Sequence, residues 1–245
     1  MRGTFETMGT VASIVLPADG ERVVASIRRI FDDADQRFSL YRVESELSRI
    51  NAGELSLMSA SDELRAAYAL AMDWHLRTAG AFTPNRPDGA IDLNGVVKAM
   101  CISRAGEMLF SSGLGDWSVA VGGDILCAGH SPTGEWNTGI VDPFDRTALL
   151  CSLPLGAGRR AIATSGSAER GDHIWTLERD AAAEFVQVTV IAEDICIADA
   201  LATAIMSGGR EMLDLATDTW AIDALAVMTD GSLLATPGVR SRVTA

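Results

Sequence analysis

The sequence predicts an α+β fold: mixed sheets with helices, arranged as two lobes in one compact domain. Three observations carry this. Segments with helical apolar spacing gather in the first half, as far as Phe110, whereas short strand-like runs punctuated by Gly and Pro gather after Trp117. The chain shows no regular βαβ alternation, no dinucleotide-binding glycine fingerprint after a strand, no phosphate loop and no internal repeat. No linker-like, low-complexity stretch separates the halves, so residues 1–245 are read as a single domain.

In order, Thr7 to Leu16 is rich in Val, Ile and Thr and reads as a first strand ended by Pro17. Asp19 or Gly20 opens a helix whose apolar positions Val23, Val24, Ile27, Ile30, Phe31, Ala34 and Phe38 recur at helical spacing. Ser45 and Glu46 begin a short helix closed by Asn51-Ala52-Gly53, and Ser61-Asp62-Glu63 starts a longer one that stops near Gly80. Phe82 to Gly89 carries two prolines and must be a loop. Asp92 or Asn94 can cap the next helix, from about Val96 to Phe110. Strands follow at Trp117–Val121, Ile125–Ala128, Trp136–Val141, Leu149–Leu155, Arg160–Thr164 and Glu184–Ile191. A helix over Ile195–Met206, another near Arg210–Ala216, a strand at Ala221–Met228, an Asp230-Gly231 turn and a final strand complete the reading.

With 48% apolar and 22% charged residues, the composition is ordinarily globular. A net charge of −13 without a run of Lys or Arg argues against nucleic acid or an anionic membrane as partner. The cysteines Cys101, Cys127, Cys151 and Cys196 are too scattered for a zinc site or a redox CxxC and read as reduced, small hydrophobic residues. No basic start with an apolar run opens the chain and no integral membrane segment is expected, so a cytoplasmic location is the default.

Chemistry concentrates in a few places. In ICIADALATAIM, Asp199 and Thr203 lie one helical turn apart, on the same face of an otherwise apolar helix. A carboxylate there is costly unless neutralised, and carboxylate plus hydroxyl suits Mg²⁺. On this segment alone, a capping, solvent-facing Asp199 is the preferred reading. Val121-Gly122-Gly123-Asp124 follows a strand, and its paired glycines form a tight turn or let a backbone approach a ligand. Thr164, Ser165 and Gly166, with His173 beyond them, offer hydroxyls, amides and an imidazole that can hold a phosphate and move a proton; an ordinary loop is the alternative. DLNGVVK at Asp92–Lys98 opens a helix, and Lys98 adds charge where helix amides already attract anions. His75 and His130 lack such surroundings, and His75, on a predicted helix, reads as a surface or rim side chain.

Taken in order, MGT at Met8–Thr10, FSLYRVESELSRIN at Phe38–Asn51, DLNGVVK, VGGD, GIVDP at Gly139–Pro143, ATSGSAERGDH at Ala163–His173 and ADALATA at Ala198–Ala204 resemble the ApbE family of FAD:protein FMN transferases. The resemblance covers nearly the whole chain. It implies a T-fold-related architecture and a Mg²⁺-dependent enzyme that cleaves FAD, moves FMN through its phosphate onto a Thr or Ser hydroxyl of a target flavoprotein, and releases AMP. It further implies Asp199, Thr203 and the backbone carbonyl of Val97 as metal ligands, with Asp199 and His173 catalytic. Lys98, Gly122 and Gly123 would hold phosphate or backbone close, and Met8, Tyr41, Ala81 and Phe82 would line the flavin or adenine pocket.

The chain departs from the family pattern at several places. Ala99, Met100 and Ser103 replace a glycine, an aromatic and an aspartate; Thr83 stands where an acid is usual; Thr176-Leu177 replaces a DP. These departures leave open an FAD pyrophosphatase and a non-catalytic FAD-binding protein.

Overall fold

In the computed structural model, which describes residues 1–156, 158–166 and 183–243, the chain begins with a hairpin of β1 (Arg2–Thr7) and β2 (Thr10–Val15). The expected single strand over Thr7–Leu16 is therefore corrected: Met8 and Gly9 turn the chain with φ of 48° and 72°. Both central residues of a two-residue turn need positive φ here, and only the second is glycine, so the sequence carries half of the usual turn signal.

Helix α1 (Glu21–Phe38) buries Val23, Ile27, Phe31, Ala34 and Phe38, the stripe that its spacing predicts. The Ser45 side chain caps α2 (Glu46–Asn51), and the Ser61 side chain caps α3 (Asp62–Arg77) by accepting from Leu64 N–H at 3.2 Å. For α4 (Asn94–Ser111) the expected caps are corrected. Leu93 occupies the cap position without a side-chain bond, and Asp92 Oδ1 instead accepts from Asn94 N–H at 2.9 Å, an Asx turn leading into the helix.

The strands β3 (Trp117–Val121), β4 (Asp124–Ala128), β5 (Trp136–Val141), β6 (Leu149–Leu155), β7 (Ala161–Gly166) and β8 (Phe185–Ala192) follow. Helix α5 spans Ile195–Thr219 but breaks at Gly209 (φ 64°, ψ −152°), where Glu184 Oε2 accepts from Arg210 N–H at 2.6 Å and restarts the helix. The two expected helices are thus the two halves of α5, and they meet at this break. β9 (Asp223–Met228) and β10 (Leu233–Ala235) close the sheet, and a short α6 (Pro237–Arg242) follows, an element the sequence reading lacks.

Eight strands form one antiparallel sheet in the order β1-β2-β3-β4-β7-β8-β9-β10, while β5 and β6 pair separately. Side-chain alternation assigns the two faces. Ala161, Ala163, Val190, Ala192, Ala224 and Ala226 join the large core beneath α4 and α5, whereas the intervening Ile162, Ile191 and Leu225 join a smaller core with Ile140, Leu153 and Leu155 of the β5–β6 hairpin. The face against α5 carries small residues, and α5 answers with Ala198, Ala202 and Ala204, all buried, so helix and sheet approach closely. No helix among the described residues is long and apolar enough to cross a membrane.

Gly106 permits another close approach, between α4 and the sheet. A Cβ at this position would lie 2.7 Å from Trp117 Cη2 and 3.0 Å from Leu126 Cδ2, both parts of buried side chains. Alanine gains about 1 kcal/mol of helix propensity over glycine, whereas overpacking costs about 1–3 kcal/mol. Gly106→Ala is therefore expected to lower the urea midpoint of unfolding. An unchanged or higher midpoint would show that the ring has room to move.

Candidate active site

Four elements converge at one end of the sheet. The β3–β4 turn, Gly122-Gly123, has φ of 55° and 90°, and a Cβ on Gly122 would lie 3.3 Å from the Thr10 side chain, beside the Met8-Gly9 turn. The tight-turn reading of these glycines holds, and it delivers Asp124 at the first position of β4 with no solvent exposure. Asp124 Oδ1 accepts from the Thr164 backbone N–H at 3.2 Å, tying β4 to β7. Lys98 of α4, only 8% exposed, places its ammonium on Asp124 Oδ2 and 4.0 Å from Asp199 Oδ1.

Asp199 is fully buried in α5. Asp194 rather than Asp199 caps α5, accepting from Cys196 N–H at 2.7 Å and Ile197 N–H at 3.2 Å, and Asp199 sits one turn further in. Thr203 lies on the same face, with its Oγ1 3.2 Å from Ser165 Oγ of β7. Ser165 points toward α5, while Thr164 turns its hydroxyl to the opposite face, 2.9 Å from Thr189 Oγ1. Thr164 therefore joins the centre through its amide alone. Val97, buried beside Lys98, stands in the opening turns of α4.

The remaining expected residues are arranged around this centre. Ala81 and Phe82 are buried between the break in α5 and the first turn of α4: a Cβ on Gly208 would meet Ala81 at 3.0 Å, and one on Gly95 would meet the Phe82 ring at 2.8 Å. His75 Nδ1 lies 3.0 Å from the Phe82 carbonyl, which gives this half-buried rim residue a positioning bond. Met8 is half-buried, and Tyr41 is 84% exposed. His173 lies outside the described residues. Asp124 is the residue that sequence reasoning passed over. Its signal was an acid at an inward position of the apolar strand DILCA, where a carboxylate needs a partner.

What the site can hold follows from its donors. Among the described residues no three His, Cys, Asp or Glu side chains cluster as a metal site. One buried carboxylate and one hydroxyl, both oxygen, suit a hard cation that takes its other ligands from water and phosphate better than zinc. Burial pushes the thiols of Cys101 and Cys127 up to about 12, and that of Cys196, beside Asp194 and Asp199, likewise to about 12, so none is a nucleophile near neutral pH.

Sheet order and helix placement define a class, the fold of the solved ApbE proteins. The Vibrio cholerae flavin transferase ApbE superposes with a TM-score of 0.83 at 22% identity, over 99% of this chain and 98% of that one. The ApbE protein of Thermotoga maritima superposes with a TM-score of 0.81 at 20% identity, over 100% and 99%. The model of the ApbE family matches residues 8–86 and 83–226, and the chain belongs to that family. Among relatives, a Vibrio cholerae FAD:protein FMN transferase is 24% identical over 84% of this chain and 80% of its own length. A Rhodobacter capsulatus protein of the same name is 28% identical over 66% of this chain, but the match spans only 32% of that longer protein.

The thiols have a consequence for stability. Their folded pKa values of about 12 exceed the ordinary 9.0, so the unfolded chain ionises first as pH rises. Their contribution is intact below about pH 9 and is lost progressively toward about pH 12. The urea midpoint should fall as pH rises above about 9, and fall less when Cys101, Cys127 and Cys196 are all replaced by alanine. Equal slopes in the two proteins would remove the thiols from this account.

Proposed function

We propose that this chain, working as one unit over residues 1–245 in the cytoplasm, is a Mg²⁺-dependent FAD:protein FMN transferase. It cleaves FAD, attaches FMN through its phosphate to a Thr or Ser hydroxyl of a target flavoprotein, and releases AMP. The observation that carries this reading is the fully buried Asp199 carboxylate one turn from Thr203, in a chain of the ApbE family. The names of the two relatives support it.

Asp199, Thr203 and the Val97 carbonyl would hold the cation. Bound there, Mg²⁺ supplies positive charge against the pyrophosphate and the oxygen that leaves with AMP. The chain's own groups do the rest. The Gly122-Gly123 turn presents backbone without side chains, so a phosphate can come close. Ser165 Oγ, directed at Thr203, and Gly166 at the end of β7 stand on the phosphate side. Met8, Tyr41, Ala81 and Phe82 form the flavin or adenine side.

His173 accepts the proton of the target hydroxyl. The hydroxyl oxygen bonds to the FMN phosphorus while the bond from that phosphorus to the bridging oxygen breaks, and AMP leaves carrying that oxygen.

The test is incubation with FAD, Mg²⁺ and a threonine-bearing acceptor protein. AMP and FMN-labelled acceptor are expected in equal amounts, and Asp199→Ala should reduce both by on the order of 10²-fold or more. Free FMN with unlabelled acceptor would replace the transferase by a hydrolase, and unchanged FAD would leave a binding protein. Adding a chelator to the native enzyme should stop AMP release, and continued release would sink the metal assignment.

A further inference from the structure

We propose that Asp124 is a positioning residue whose carboxylate holds the Lys98 ammonium off Asp199 and so sets the charge that a divalent cation meets at Asp199 and Thr203. The inference rests on the metal reading above.

The side chains of Lys98, Asp124 and Asp199 are 10%, 0% and 1% exposed, so water screens little of their mutual attraction. The ammonium is in contact with Asp124 and stands 4.0 Å from Asp199. Asp124 cannot follow it elsewhere. The carboxylate is pinned by the Thr164 amide at 3.2 Å, and its backbone is fixed by the glycine turn on one side and by the β4 ladder on the other. Lys98, in contrast, ends a flexible four-carbon stem.

With the Asp124 charge in place, the Lys98 ammonium is divided between two carboxylates, and less of its charge falls on Asp199. Without the Asp124 charge, a movement of about 1 Å would bring Lys98 to normal ion-pair distance from Asp199. More of the ammonium's charge would then fall on Asp199, and an entering cation would meet that ammonium at closer range. On this reading Lys98 does not contact phosphate. It balances the site, and Asp124 decides on which side of it the balance falls.

The experiment titrates Mn²⁺ alone, without FAD, into the full chain and follows the free ion by electron paramagnetic resonance, with circular dichroism to verify folding. A charge within about 4–6 Å changes a carboxylate's affinity for a proton by about one to three powers of ten. By the same electrostatics Asp124→Asn should weaken Mn²⁺ binding roughly tenfold or more, and Lys98→Met should tighten it. The double variant should return to within about threefold of the native affinity, because the charge difference cancels.

A purely structural role for Asp124 predicts no such rescue. A double variant that binds no better than Asp124→Asn overturns the proposal, as does native affinity in Asp124→Asn. If Asp124→Asn does not fold, Lys98→Met decides: tighter binding supports the proposal, and unchanged or weaker binding overturns it. Asp199→Asn separates the two levels. Native Mn²⁺ affinity in that variant overturns the metal reading itself, whereas its loss beside an unaffected Asp124→Asn overturns only the role given to Asp124.

Discussion

Two carboxylates and an ammonium buried where α4, β4 and α5 meet are the constraint on which the rest of this structure depends. Each ion removed from water costs several kcal/mol, and removing one partner of such a pair typically costs about 3–5 kcal/mol because the other is left uncompensated. The cluster is therefore tolerable only if three elements distant in sequence are held in one arrangement. Asp124 arrives from the β3–β4 turn, Lys98 from the opening turns of α4, and Asp199 from the first half of α5. The bond from the Thr164 amide to Asp124 adds β7, which carries Ser165 toward Thr203.

The two-faced sheet makes this arrangement possible. Small side chains on one face, Ala161, Ala163, Ala224 and Ala226, let α4 and α5 lie close to it, while the branched residues between them fill the smaller core under the β5–β6 hairpin. With large residues on the helix face, both helices would stand off the sheet, and Lys98 would lie too far from Asp124 of β4 for that pair to form. The break at Gly209 serves the same end. Glu184 satisfies the new helix start there, and Ala81 packs against the neighbouring Gly208.

Much of the fold was legible. The stripe Val23, Ile27, Phe31, Ala34 and Phe38 in α1, and the caps Ser45 and Ser61, are local features that one period or one side chain determines. The first hairpin was not, because the turn places Met8, a residue that rarely takes positive φ, at its first central position. The cap of α4 was not, because Asp92 stands one residue ahead of the cap position, which Leu93 takes, and makes its bond to Asn94. In the site, Asp199 and Thr203 could be paired from their spacing, since helical geometry fixes which residues share a face. Asp124 could not be paired with anything, because nothing local to VGGD indicates a lysine on another element.

The sequence by itself determined the family, the helices with strong periodicity, most of the strands, and the face of α5 that carries Asp199 and Thr203. These follow from short-range patterns and from ordered blocks that survive without knowledge of the third dimension. Only the tertiary structure decided that Asp194 is the residue that caps α5, that Thr164 enters through its amide while Ser165 enters through its hydroxyl, and that Lys98 lies between Asp124 and Asp199. The physical reason is that charge is long-ranged and partner-dependent: what a buried ion does is set by which other ions share its low-dielectric surroundings, and a linear sequence does not specify those neighbours.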